Sequence, residues 1–400
     1  MNPRLKKTRK SHSLTKMVQG QPSWRIASKD VEAFVTEQGG HLGPVIYDRR
    51  GAKLSPFEVA PWATEQIDRS LPPVLHVMRG DFFCMPFGGN DTPYRKEQHL
   101  SHGETANAHW KFEDLAKTGI RNTLHLSLLT KVRSGRVDKY ISAMDGHHAI
   151  YSRHVISGMS GPMSMGHHAI LKFPDKAGSG RISTSSFRYG QVYVKPTELP
   201  ENRGYSALLP GAKFDSLDKV QTVFGKDTDL SRYPARRGYE DIVTMASDPD
   251  LPFAWTAVSF PEQQYVWFAL KDPKVLRQTL FWMSNGGRHY SPWSGRHINA
   301  MGLEEVTSYF HEGLAESVRK NPIAAAGYPT STLLDPKNPL SVNYIMAAVK
   351  SPKGFDRVAN IEVDAKSGGV KLTSDSGKQI ATAIDVAFLN EKYGLGLKIQ

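Results

Sequence analysis

Leucine alternates with polar residues through Leu124-His125-Leu126-Ser127-Leu128, which places one side of an extended segment in a core and leaves the other outside it. From Trp24 onward the chain repeats this style in short apolar runs broken by Gly, Pro, Asp and Asn. Residues 23–27, 31–35, 45–47, 124–128, 137–143, 149–157 and 163–173 read as strands, followed by 220–224, 253–260, 265–270 and 277–284. Pro261-Glu262-Gln263-Gln264 reads as the turn of a hairpin. Residues 342–349, 358–364, 370–373 and 383–388 continue the pattern, with Lys366-Ser367-Gly368-Gly369 as a turn. One helix is predicted, from about residue 304 to 320, because Val306, Phe310, Leu314 and Val318 recur at helical spacing and Asn321-Pro322 would stop it. The pattern therefore predicts an all-β, mainly antiparallel sandwich or barrel with few short helices.

Organisation follows from the same pattern. Residues 1–20 are expected to be a basic, disordered tail, and residues 21–400 one large β domain. Residues 331–400 either complete that domain or form a separate small β appendage, and the sequence leaves both open. Apolar residues make up 39% of the chain, enough for a substantial core. The net charge of +12 changes meaning once divided: Arg4, Lys6, Lys7, Arg9, Lys10 and Lys16 supply half of it, and no basic stripe interleaved with aromatics follows. No nucleic-acid partner is expected. An apolar run of about 18 residues is absent, so no membrane span is expected, and a lone cysteine, Cys84, cannot close an internal disulfide. The cytoplasm is the default location.

Candidate chemistry centres on Val155–Pro174, which ends a strand, turns at Ser157–Ser160 and delivers the pair His167-His168 on a second strand. Neighbouring residues of a strand point to opposite faces, so this pair, like His147-His148, offers one ligand to any one metal site, and none is expected. Phe87-Gly88-Gly89-Asn90 is a turn, and neither a P-loop nor a dinucleotide fingerprint is present.

Dispersed motifs carry a resemblance. Ser101-His102-Gly103, followed by Trp110, resembles the His-Gly…Trp motif of the aldose 1-epimerase, or galactose mutarotase-like, superfamily. Upstream, Met78-Arg79-Gly80-Asp81 and Met85-Pro86-Phe87-Gly88-Gly89-Asn90 resemble that family's approach to its site. The segment leading to His168 is similar to the one before the family's second histidine, and Asn299-Ala300-Met301-Gly302-Leu303-Glu304-Glu305 to the one that ends in its glutamate. The matches span about Val31 to Glu305. Asp91 and Ala106 stand where relatives carry arginine, which removes cationic donors suited to phosphate.

The resemblance implies a β-supersandwich that interconverts the anomers of a small sugar without a cofactor. It implies Glu304 as base and His168 as acid, with Glu305 the rival of Glu304. His102, Asp241, Arg79, Asn90 and Trp110 would bind substrate, Asp248 being the rival of Asp241. Structural roles compete for three of these: a core position for Trp110, an ion pair for Arg79, and an ordinary packed or solvated histidine for His168. The run from Trp282 to His297, rich in aromatics, Asn, Arg and His, is expected at the rim of the cleft. The alternative reading is a non-catalytic carbohydrate-binding or sensing protein on the same fold. A sugar hydrolase or lyase is a weaker third, because hydrolysis needs two carboxylates flanking one bond. Oligomeric state is not readable.

Overall fold

A computed structural model describes residues 15–391. Two large antiparallel sheets face each other. One has seven strands, in the order Lys213–Phe214, Phe187–Val192, Tyr239–Ser247, Gln278–Asn285, Ala300–Thr307, Met165–Lys172 and Phe83–Cys84. The other has nine: Arg232–Tyr233, Gly180–Thr184, Ala254–Phe260, Tyr265–Lys271, Leu340–Lys350, Ala149–Ser157, Gly135–Met144, Arg121–Thr130 and Lys111–Thr118. Their facing sides interdigitate in one core that joins Leu171, Phe281, Met301 and Leu303 to Ile141, Trp267, Tyr344 and Met346.

Alternation explains why the central strand Tyr265–Lys271 is apolar throughout. Trp267 and Ala269 point into the core between the sheets, while Val266, Phe268 and Leu270 point the other way. That second face is covered by a three-stranded sheet, Val358–Asp364, Gly369–Ser374 and Gln379–Thr382, through Val358, Ile361, Val370 and Leu372. A strand buried on both faces cannot alternate in polarity. Within residues 331–400, Leu340–Lys350 lies between Tyr265–Lys271 and Ala149–Ser157 inside the large sheet, and the three-stranded sheet packs outside it.

Three local expectations are corrected. The predicted helix over 304–320 is mostly strand and loop: Ala300–Thr307 is held by neighbours on both sides, Phe310 is left-handed (φ 46°), and only Leu314–Val318 is helical. Ladder bonds on both edges override the helical spacing of four apolar residues. Asn321 starts a helix instead of stopping one, its side chain accepting from the Ala324 amide to cap Pro322–Ala325. Residues 383–388 form no strand; Val386–Asn390 is a 3₁₀ turn. Of the expected tail, residues 1–14 lie outside the described part, but Thr15–Val18 pairs with Gln21–Trp24 as a hairpin. No described helix is long and apolar enough to cross a membrane.

Candidate active site

The outer face of the seven-stranded sheet carries a cavity of about 240 Å³, large enough for a single sugar ring or roughly eight waters. Its floor is set by strand register. His168 and Glu304 are direct cross-strand partners on Met165–Lys172 and Ala300–Thr307. Side chains paired in this way project from the same face, and His168 Nε2 lies 3.2 Å from Glu304 Oε1. Both are nearly fully buried yet line the cavity.

Their neighbours on the same strands share the residue types and not the surroundings. His167 and Glu305 point between the sheets, where His167 Nδ1 meets Asp81 Oδ2 at 2.8 Å. Glu305 is paired with Lys271 and accepts from the Thr279 hydroxyl at 2.6 Å and the Thr256 hydroxyl at 2.5 Å. Glu305 is therefore part of the core, and Glu304 is the carboxylate at the cavity.

Aromatic packing fixes the His168 ring. Phe82 stacks on it at 4.5 Å and is itself stacked on its other side by His41 at 4.1 Å; Trp282 meets it edge-on at 5.7 Å. His102 approaches edge-on at 5.2 Å. It enters from a tight loop in which His102 and Gly103 are both left-handed (φ 62° and 70°). A Cβ on Gly103 would lie 2.0 Å from the Met85 carbonyl oxygen, so this close approach explains the His-Gly dipeptide. Gly302 acts differently: a Cβ there would lie 2.4 Å from Glu304 Oε1, so its missing side chain is the space the carboxylate occupies.

The electrostatics follow from burial. Desolvation raises the Glu304 carboxyl to about 8, partly opposed by the Arg288 charge. It pulls His168 well below the usual histidine value, helped by the neighbouring His102 and His41 rings, and lowers His102 and His311 to about 3. Both shifts favour the uncharged forms of the His168–Glu304 pair, and the 3.2 Å contact is short enough for a proton to pass between them.

Arg288 is the one Lys or Arg among the residues lining the cavity. Its guanidinium carbon sits 5.1 Å from the Trp282 ring centre and 4.8 Å from that of Trp293. Its Nε donates to Glu198 Oε1 at 3.0 Å and lies 3.9 Å from Glu240 Oε2. Glu240 in turn accepts from Trp282 Nε1 and the Ser284 hydroxyl, both at 2.9 Å, which ties the loop after residue 285 to the sheet.

Solved structures provide the comparison, since no protein-family model and no curated protein matches the chain. A candidate aldose 1-epimerase from Escherichia coli K12 superimposes with a TM-score of 0.55 at 12% identity, over 83% of this chain and 100% of that one. A galactose mutarotase-like protein from Clostridium acetobutylicum gives 0.55 and 12%, over 84% and 98%. A galactose mutarotase related enzyme from Lactobacillus acidophilus gives 0.51 and 11%, over 83% and 99%. The chain has the galactose mutarotase-like fold. At such identities the likeness is one of fold.

On this mutarotase-like frame the expected residues divide. His102, His168 and Glu304 converge on the cavity, and the Trp282–His297 segment contributes Trp282, Arg288, Tyr290 and Trp293 to its lining. Four do not line it. Arg79 is fully buried and donates to the carbonyls of Val18, Gln19 and Val77, pinning the N-terminal hairpin. Asn90 donates to three carbonyls, those of Pro86, Gly88 and Leu100, and accepts from the Leu314 amide. Trp110 is a core residue whose indole donates to the Thr105 carbonyl at 3.0 Å. Asp241 faces away from the cavity, accepting from the Ala207 and Leu208 amides, while the next residue, Ile242, lines it. Asp248 pairs with Arg188. Sequence reasoning missed His311, hidden in the supposed helix, and Pro72, Val74 and Leu75, which lie in no motif; Met78 lines the cavity from the motif in which Arg79 is expected to line it.

Proposed function

We propose that the protein is an aldose 1-epimerase-like isomerase that interconverts the anomers of a small sugar. One observation carries this reading: a cavity of single-sugar size holds a carboxyl and an imidazole in contact beside a second histidine.

Anomer interconversion needs a proton taken from the hydroxyl on C1 and another given to the ring oxygen, also bonded to C1. The C–O bond of the ring then breaks and leaves an aldehyde. Rotation about the adjacent C–C bond presents the other carbonyl face, and closure reverses the transfers. Two oxygens on one carbon match two proton-handling groups set side by side. With the carboxyl proton moved to the imidazole, Glu304 acts as base and His168 as acid, the roles implied by the resemblance. With it on the carboxyl the roles exchange, and closure restores whichever tautomer opening consumed. Each group contributes about 10²–10⁴-fold. His102, neutral in this pocket, and Arg288 are the binding groups for the remaining hydroxyls. Asp241, Arg79, Asn90 and Trp110 support the walls.

Anomeric proton exchange, followed by NMR across a panel of aldoses, tests the proposal. Wild type is expected to equilibrate at least one sugar faster than buffer, and Glu304→Gln and His168→Asn to remove most of that acceleration. Binding of sugars with no acceleration of any would establish the non-catalytic reading instead.

A further inference from the structure

The cavity is divided in chemistry. Its polar groups, Ser101, His102, His168, Glu304, Arg288, Tyr290 and His311, come from the strands and from the loops around residues 102, 290 and 311. Pro72, Val74, Leu75 and Met78 come from one seven-residue stretch outside the sheet, while Ile242 belongs to the floor, as the cross-strand partner of Trp282. The four apolar side chains of that stretch offer nothing to a hydroxyl. The stretch is not a loose flap, because the Leu75 carbonyl accepts from Trp62 Nε1 at 2.7 Å and the Val74 amide donates to Asn107 Oδ1 at 2.8 Å. Asp241, one residue from Ile242, is held on the other face of its strand by two amides and cannot turn to supply a partner. Nor does the cavity favour an anion, since Arg288 is already met by Glu198 and lies near Glu240.

We propose that the substrate is an uncharged aldose with a methyl group where common hexoses carry a hydroxymethyl, a 6-deoxy sugar, whose methyl packs against the Pro72–Met78 wall. The inference rests on the sugar-isomerase reading of the same site. The cavity volume matches one ring with small substituents. A hydroxyl placed on this wall would lose its water without gaining a partner.

Matched sugars test this on the wild-type protein. D-fucose against D-galactose, L-fucose against L-galactose, and L-rhamnose against L-mannose each differ by one hydroxyl. Titration calorimetry and anomer exchange by NMR are run on every pair. The deoxy member of at least one pair is expected to bind about ten- to a hundredfold more tightly. Leu75→Asn, at a half-buried rim position, is expected to shrink that preference several-fold. Equal or tighter binding of the hydroxymethyl partner in all pairs overturns the inference, as does a preference untouched by Leu75→Asn. Acceleration of hydroxymethyl sugars alone overturns it while supporting isomerase activity. Selective deoxy-sugar binding without acceleration supports it and removes the isomerase reading.

Discussion

Replacing Glu304 by glutamine should make the protein more stable as it makes it less active, and the two effects should have different pH dependences. A carboxyl raised from the usual 4.5 to about 8 keeps its proton in the folded protein over a range where the unfolded chain gives it up. Stability from this group is fully present below about pH 4.5 and is lost as pH rises through about 8. The loss reaches at most about 5 kcal/mol at the alkaline end. Glutamine has nearly the same shape and cannot ionise, so the variant escapes that loss. The difference in unfolding free energy between Glu304→Gln and wild type should therefore grow in the variant's favour from pH 5 to pH 8.5. His168, whose shift has the opposite sense, loses its contribution only as pH falls below the usual histidine range. Activity of Glu304→Gln should fall by about 10²–10⁴-fold, or roughly 3–5 kcal/mol of barrier. Urea melts at a series of pH values, alongside NMR exchange rates, measure both quantities. A stability difference that stays constant from pH 5 to 8.5 would show that Glu304 titrates normally, and the account of an uncharged pair would fall with it.

Three further outcomes are expected. Wild-type kcat/KM should decline above about pH 8, where the His168–Glu304 pair loses its only proton, and decline again at acid pH as a second proton binds; a rate still climbing at pH 9 contradicts this. Gly302→Ala, which intrudes on Glu304 Oε1, should lower kcat/KM at least tenfold with near-UV circular dichroism unchanged, and full activity would show that the carboxylate does not depend on that space. Arg79→Met should destabilise the fold by about 2–5 kcal/mol, because three carbonyls lose their donor, while leaving KM of the folded fraction as it was; a raised KM with unchanged stability would return Arg79 to the site.

The legible parts of this chain were those governed by short-range rules. Strand existence followed from alternation at Leu124–Leu128 and from apolar runs such as Tyr265–Leu270. Ala300–Thr307 was half-read, since Glu304 was picked out while its own segment was taken for a helix. That error has a physical origin: all eight residues of the strand are buried, so they show no two-residue period, and Val306 fell by chance into a helical spacing with Phe310 and Leu314. Arg79, Asn90 and Trp110 lie in motifs that resemble the family's, yet each spends its polar atoms on backbone groups. A motif shows that a residue type is required at a position. It does not say whether the requirement comes from a ligand or from a loop whose carbonyls would otherwise be buried alone. The Pro72–Met78 wall was invisible because aliphatic lining of a cavity is, in sequence, indistinguishable from aliphatic core.

The pairing of Met165–Lys172 with Ala300–Thr307 separates these two cases within one molecule. It sets two histidines against two glutamates, His167 opposite Glu305 and His168 opposite Glu304, and sends each pair to a different face. On the inner face every charge finds a fixed partner: His167 has Asp81, and Glu305 has Lys271 with two threonine hydroxyls. Those partners fully satisfy the carboxylate and leave it nothing to exchange. On the outer face Glu304 pairs with His168, no lysine or arginine among the described residues forms a salt bridge with it, and the cavity opens beside them. A one-residue slip in register would break both pairs, setting His167 against Glu304 or His168 against Glu305. Which pair meets the cavity is therefore a property of register and of the neighbours it supplies, since the residue types on the two faces are the same.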